Sequence, residues 1–335
     1  MGKTLALYIF LVYNVRSLKD IRWILVFLAL GLLAEFGFCV VEKYVFHGSL
    51  GLKYFGESEK GLESFVADTA VFRSGGTLGH PNNLAYYLDL MAPLMLTRVF
   101  ALRSGRWTRR IFLLAFAAAC GCLYFTQSRG GIVATGISLS LCFAVLAWRN
   151  LRLRVFRLQT LGAAILAIAV IGVFHQVIFA RFGQNDAGAI QTRVDQYHVA
   201  YRMLNAHPWV GVGLNTYSES SPAYDNTASK VSLNFRAPVH NVYLLALVET
   251  GVIGFAGLVW LIVSIFRLAR FWRWPFGEIF DLHLGFFFSL LGYFIHANVD
   301  INPMGSYVTL FFLLGLLTVV HQIGINQCAA AREAV

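Results

Sequence analysis

Of 335 residues, 58% are hydrophobic and only 13% charged, where an ordinary soluble domain has roughly 45–50% apolar and about 25% charged residues. A chain of this length would need far more polar surface in water, so the composition excludes a cytosolic enzyme, a secreted disulfide scaffold and a disordered tail, and requires a membrane protein. The net charge of +10, from 27 Lys plus Arg against 17 Asp plus Glu, is read by position, because basic residues orient membrane proteins, and not as a nucleic-acid footprint.

A membrane span needs about 20 mostly apolar residues. In chain order the expected spans are 21–41, 84–100, 111–127, 130–148, 158–180, 241–266, 284–298 and 306–324, with 4–15 short for a further one. The expected fold class is all-α, a polytopic transmembrane helix bundle. It divides into N-terminal helices over 1–180, a loop subdomain over 181–240 and C-terminal helices over 241–335. Connections 16–22, 98–110, 149–157 and 267–273 are rich in Arg and Lys, and every second loop is basic, as the positive-inside rule requires. Loops 42–83, 128–130, 181–240 and 299–305 then lie outside. The first apolar segment lacks a small-residue cleavage site, which points to missing upstream helices and not to a signal peptide. Cys39, Cys120, Cys122, Cys142 and Cys328 make no metal or redox pattern, and disulfides are not expected.

Three outer features carry polar residues. In FRSGGTLGHPNNLAYYLDLMAPL, residues 72–94, His80 and Pro81 form a polar turn in which Asn82 or Asn83 is placed to cap the following helix. In FTQSRGGIVATG, residues 125–136, Arg129 sits at a hairpin tip. Gly130 and Gly131 leave amide donors there, and a guanidinium beside them suits a phosphate or pyrophosphate, although many arginines at helix ends merely snorkel.

The third feature is the long loop 181–240, with mixed charges and His198, His207 and His240. Within it 192–205 fits an amphipathic helix, with Val194, Tyr197, Tyr201 and Leu204 on one face and Arg193, Gln196, Ala200 and Met203 on a neighbouring one. HPWVGVG at 207–213 then breaks it, with Trp209 as an interfacial anchor. As one straight helix, 241–266 would be about 39 Å long, against a hydrocarbon core of roughly 30 Å, so a bend near Gly251–Gly257 or a protruding start is expected. His240 lies at the helix start, where an imidazole can take a proton from a hydroxyl; the plain alternative is a capping or interfacial histidine. Glu249 is half a turn out of phase with His240 and reads as structural, holding a neighbouring backbone or Arg. His296 and Asp300 sit at i and i+4, where Asp300 is placed to orient a partner.

Taken in order, GTLGHPNNLAYYLDL, TQSRGG, TRVDQYHVAYRMLNAHPWVGVGLNTY and HNVYLLALVETGVIG resemble the O-antigen ligase and Wzy-type polymerase superfamily from about residue 72 to the C-terminus. The resemblance implies a bacterial inner-membrane glycosyltransferase with GT-C-like architecture, its active site on the periplasmic side. The donor is an undecaprenyl-diphosphate-linked glycan. The acceptor is a lipid A-core sugar for a ligase, or another lipid-linked repeat unit for an O-antigen or exopolysaccharide polymerase. It gives Arg129 and Arg193 the donor diphosphate and His240 the role of general base, with inversion at the anomeric carbon. Arg202 and Arg236 are looser candidates for substrate contacts, and His80, Asn83, Asn241, Glu249 and Asp300 for supporting roles. No cofactor is expected. Without an Asp-x-Asp or clustered outer carboxylates, a magnesium site is hard to build, and two guanidiniums can neutralise the leaving group instead. The other partner is the lipid bilayer; nucleic acid is not one. A polysaccharide transporter or flippase is the remaining alternative, which would show repeat symmetry and interrupted helices about a midplane site.

Overall fold

The computed structural model describes residues 2–46, 63–66, 69–102, 104–154, 188–235, 237–301 and 304–333. The expected span 158–180 and the candidate Arg236 lie outside them. In chain order the long helices are α1 (Gly2–Asn14), α2 (Leu18–Val41, running on through a π-turn to Phe46), α3 (Pro81–Val99), α4 (Arg106–Thr126), α5 (Arg129–Arg152), α6 (Ala189–Ala206), α7 (Val242–Leu268), α8 (Glu278–His296) and α9 (Met304–Glu333). A small antiparallel hairpin pairs β1 (Glu63–Val66) with β2 (Thr69–Phe72). The class is all-α. Six described helices are long and apolar enough to cross a membrane: α2, α4, α5, α7, α8 and α9. The protein is a multi-pass membrane protein.

The span expected at 84–100 corresponds to α3, which is not among the six. It carries Asn82, Asn83, Asp89 and Arg98 and is buried along most of its length, so its apolar residues face protein. Asp89 is fully buried and accepts from the Thr135 hydroxyl at 2.6 Å. The short stretch at 4–15 is the 13-residue helix α1, which packs on α9 with the Tyr8 and Thr318 hydroxyls 3.2 Å apart.

The chain forms two compact units, Met1–Gly183 with Leu268–Tyr293 and Pro303–Val335, and Gln184–Arg267 with Phe294–Asn302. In the first unit, charges at helix ends meet. Glu278, at the start of α8, pairs with Arg22 at the start of α2 and with Arg98 at the end of α3. Arg149, fully buried near the end of α5, pairs with Asp281 and donates to the Phe100 carbonyl at 2.7 Å. These are the ends that the charge alternation puts on one side. Their arginines also let α8 begin before the expected 284, since carboxylates at Glu278 and Asp281 are tolerated inside only when paired. Along α2 and its π-turn, Glu35 accepts from the Thr77 amide and hydroxyl at 2.8 and 2.6 Å, and Glu42 accepts from the Ser74 hydroxyl and the Gly76 amide.

The second unit is built on α6 and α7. Val199, Ala200, Met203, Tyr217, Val231, Val239, Leu244 and Val248 form its core. The buried face of α6 is therefore the one with Gln196, Ala200 and Met203, joined by Val199. Val194 and Tyr201, expected together on an apolar face, are 41% and 54% exposed.

Helix α7 is broken at Gly251 (φ 64°, ψ −173°). The break frees carbonyls before it and amides after it, and the His207–Gly213 loop takes both. Val212 N–H donates to the Val248 carbonyl and Gly213 N–H to the Glu249 carbonyl, each at 3.0 Å. In return Val252 and Ile253 donate to the Pro208 and Trp209 carbonyls at 2.9 and 3.3 Å. Backbone meets backbone so closely that a Cβ on Gly251 would stand 2.2 Å from the Trp209 carbonyl, and one on Gly211 2.4 Å from that of Glu249. The bend expected between Gly251 and Gly257 falls at Gly251.

Gly251→Ala and Gly211→Ala should each lower the thermal unfolding temperature in detergent and open the 207–213 loop to protease, since both positions combine positive φ with a backbone clash and strain alone costs about 1–3 kcal/mol. Gly257→Ala, with nothing within 4 Å of the added methyl, should be neutral or stabilising by up to about 1 kcal/mol. In the first unit Arg149→Leu should cost about 3–5 kcal/mol by stranding Asp281, and Arg149→Met with Asp281→Leu should recover most of it.

Candidate functional site

In the second unit the residues around His240 are assembled by helix starts and caps. Asn241 is the N-cap of α7: its Oδ1 accepts from the Tyr243 and Leu244 amides, both at 3.0 Å. Its Nδ2 donates to the Tyr197 hydroxyl at 3.2 Å. Val242 N–H donates to the Ala297 carbonyl at 2.9 Å, and the Tyr243 hydroxyl to the Phe294 carbonyl at 2.7 Å. Phe294 at the end of α8 and Ala297 just after it are thereby stitched to the start of α7, next to His240.

His240 itself is half-buried. Its Nδ1 lies 3.0 Å from Gln196 Oε1, and its ring stacks on Phe235 with centroids 5.9 Å apart and planes 25° apart. Burial holds the imidazole's affinity for a proton below the usual histidine value; the Asp300 carboxylate opposes the shift and the Arg193 guanidinium adds to it. Arg193 lies on α6, one turn before Gln196, and is exposed. Asp300 is buried, and its Oδ1 accepts from the Ile301 amide at 2.8 Å. A neutral imidazole at neutral pH, flanked by one cation and one carboxylate, is equipped to accept a proton beside an anion.

The other candidates divide. Arg202 donates to the Tyr224 carbonyl at 3.2 Å, so at least one of its nitrogens serves the framework of the second unit. Glu249 is buried and accepts from the Tyr217 amide at 3.2 Å; it holds the chain that follows the 207–213 loop.

Arg129, His80 and Asn83 belong to the first unit. Arg129 opens α5 after a two-residue turn in which Gln127 takes a left-handed conformation (φ 48°) and Ser128 caps the helix. The Gly131 amide, expected to be available to an anion, donates to the Ser128 hydroxyl at 3.3 Å: the cap claims it. The cap expected at Asn82 or Asn83 is instead His80, whose Nδ1 accepts from the Asn82 amide at 3.2 Å. Asn82 Oδ1 accepts from Arg73 at 2.9 Å, and Asn83 donates to the Leu78 carbonyl at 3.2 Å while its own Oδ1 is buried with no hydrogen-bond partner among the described residues. Proline at the first helical position leaves the residue before it to cap, and here that residue is a histidine.

Sequence reasoning missed Gln196, Tyr197 and Phe235 as neighbours of the candidate base. Gln196 was visible only as one more residue on a helix face, and Phe235 precedes His240 by too few residues to register as anything but loop.

Residues 114–259 match the family model Wzy_C, O-Antigen ligase. The match runs from α4 into α7 and includes Arg129, Arg193, Arg202, His240 and Glu249. Over 204 residues, 57% of the chain, the protein is 26% identical to the exopolysaccharide production protein ExoQ of Rhizobium meliloti (strain 1021), and this match spans 45% of that protein's length. Both comparisons support the resemblance to the O-antigen ligase and Wzy-type superfamily.

An NMR titration of His240 should give a midpoint below about 6.5, the usual histidine value. Asp300→Asn should move it further down by removing a charge that favours the imidazolium, and Arg193→Ala should move it up. A midpoint in Asp300→Asn at or above that of the parent would contradict this electrostatic layout.

Proposed function

We propose that this protein transfers a glycan from a lipid diphosphate to a sugar hydroxyl, with His240 as general base. The observation that carries the proposal is the environment of His240: a half-buried imidazole held at Nδ1 by Gln196, with the charges of Arg193 and Asp300 close enough to act on it. The family match and the relative support a glycan-processing enzyme of the membrane.

In the proposed reaction His240 takes the proton of the acceptor hydroxyl. The oxygen attacks the anomeric carbon from the face opposite the diphosphate, with inversion, and the carbon–oxygen bond to the diphosphate breaks with its electron pair. Arg193 binds the diphosphate and offsets its growing charge. Arg129 has the same role on the resemblance alone. Asp300 orients and tunes His240; Asn241 and Glu249 hold the scaffold. The proposed donor is an undecaprenyl-diphosphate-linked glycan on the periplasmic face of a bacterial inner membrane, and the chemistry needs no metal.

The acceptor of the leading reading is a lipid A-core sugar, in keeping with the O-antigen ligase description of the matching family. A second reading, in which the acceptor is another lipid-linked repeat unit and the product a longer polysaccharide, is favoured by the similarity to an exopolysaccharide production protein.

The test is a gel of products from reconstituted protein given undecaprenyl-diphosphate glycan, with and without lipid A-core. Glycan shifted onto lipid A-core supports the ligase, and longer chains still on undecaprenyl diphosphate support the polymerase; with neither, the proposal fails. His240→Ala should lower transfer by about 10²–10⁴-fold, the usual contribution of a positioned base. Arg193→Ala and Arg129→Ala should raise the donor KM, and Arg→Lys should restore it only in part, because the bidentate fork is lost.

A further inference from the structure

We infer that Gln196 is a positioning residue that decides which nitrogen of His240 carries the proton, leaving Nε2 bare as the atom that receives the proton of the acceptor hydroxyl. This rests on the proposed role of His240 as base, and adds the reacting atom and the group that selects it.

Gln196 is 3% exposed and held at three points. Its backbone carbonyl accepts from the Tyr217 hydroxyl at 3.3 Å. Its side-chain nitrogen donates to the Ala237 carbonyl at 3.3 Å, and its side-chain oxygen lies 3.0 Å from His240 Nδ1. A backbone carbonyl can only accept, so the amide nitrogen must face Ala237 and the amide oxygen must face His240. Turning the amide over would set two oxygens against each other at Ala237. An amide oxygen can only accept in turn, so His240 Nδ1 must bear hydrogen. A neutral imidazole has one N–H, and Nε2 is then the lone-pair nitrogen. The Phe235 ring against the imidazole face and the Asn241 cap on the adjoining helix start restrict the ring's other motions.

In the transfer step the proton leaves the acceptor oxygen for Nε2, giving an imidazolium with hydrogen on both nitrogens. Gln196 keeps its bond to Nδ1–H throughout and gains no proton. The Nε2 proton passes to solvent before the next turnover. A neutral amide suits this cycle. A carboxylate in its place would select the same tautomer but would hold the imidazolium more tightly and slow its return. Among the described residues the charges that act on the ring are Asp300, which favours the imidazolium, and Arg193, which disfavours it; Gln196 adds selection between nitrogens without adding charge.

The test is a long-range ¹H–¹⁵N spectrum of reconstituted protein labelled with ¹⁵N-histidine at about pH 8, where an ordinary histidine is neutral, with the His240 signals identified by their loss in His240→Ala. The expected result is hydrogen on Nδ1 in the parent and in Gln196→Glu, and a mixture of tautomers in Gln196→Met. With it, kcat for glycan transfer should fall at least about tenfold in Gln196→Met, and by no more than the roughly 10²–10⁴ that a positioned base contributes, at unchanged donor KM. Gln196→Glu should recover part of that loss and move the acidic limb of the pH–rate profile upward. A parent ring with hydrogen on Nε2, or Gln196→Met with parental tautomer and kcat, overturns the inference. The parent spectrum and Gln196→Glu decide the matter even if Gln196→Met does not fold. Full transfer by His240→Ala overturns the base reading instead, whatever the tautomer proves to be.

Discussion

A membrane-length helix that breaks must find partners for the amides and carbonyls it releases, because hydrocarbon offers none. In this protein the partners come from one short loop, His207–Gly213, whose own backbone groups are exchanged one for one with those of the break at Gly251. Two glycines at positive φ make the exchange possible by removing every side-chain atom from the line of contact. The consequence reaches further than the loop. With Glu249 on its carboxylate side binding the Tyr217 amide, the break fixes the chain from 207 to 217 against α7. The same helix segment, through Leu244 and Val248, closes the core beneath α6. The position of α6 relative to the start of α7 is what brings Gln196 to His240.

The first unit is organised by a different constraint. Charges that would be expensive alone in a membrane interior are placed at helix ends and paired across helices, Arg149 with Asp281 and Arg98 with Glu278. Such pairs add little net stability against a well-packed apolar alternative, but removing one member is costly. Their effect is on register: a carboxylate at the start of α8 and an arginine at the end of α5 can meet in one axial arrangement only. Glu35 in α2 and Glu42 just after it are satisfied differently, each holding a backbone amide of the Ser74–Thr77 turn that leads into α3.

Much of this was legible in the sequence where the physical signal is cumulative. Hydropathy located six of the eight expected spans, the basic ends of α2, α3 and α5 meet carboxylates at the start of α8, and the bend expected between Gly251 and Gly257 falls at Gly251. The sequence was less legible where a decision rests on one hydrogen bond. Asn82 and Asn83 are better capping residues than histidine in general, yet Pro81 makes His80 the cap. Gly131 looked like a free amide because the hydroxyl of Ser128 could not be known to turn back on it. Of the apolar face expected on α6, Tyr197 and Leu204 pack against the core while Val194 and Tyr201 are exposed, and the core is centred on the adjacent face, with a buried amide in it. A segment in a membrane protein meets water, lipid and protein at once, so apolar character alone does not choose its inward side. Gln196 escaped notice for the same reason: polar residues on helices read as solvated until a structure shows what lies over them.

The proposed chemistry sets two demands on the second unit that oppose each other. Binding a diphosphate calls for positive charge near the reacting carbon, and Arg193 supplies it. The same guanidinium weakens His240 as a base, because positive charge disfavours the imidazolium. Asp300 answers part of this by favouring the protonated ring from another element of the unit. Asp300 is buried, whereas the field of Arg193 is neutralised when an anion binds to it. On the proposed reading, then, His240 is a weaker base while Arg193 is bare and a stronger one once a diphosphate covers that guanidinium. The same ion that becomes the leaving group raises the proton affinity of the group that must deprotonate the acceptor. A neutral Gln196 adds no further charge to this balance, whereas a carboxylate at that position would favour the imidazolium with or without donor and hold the proton after transfer.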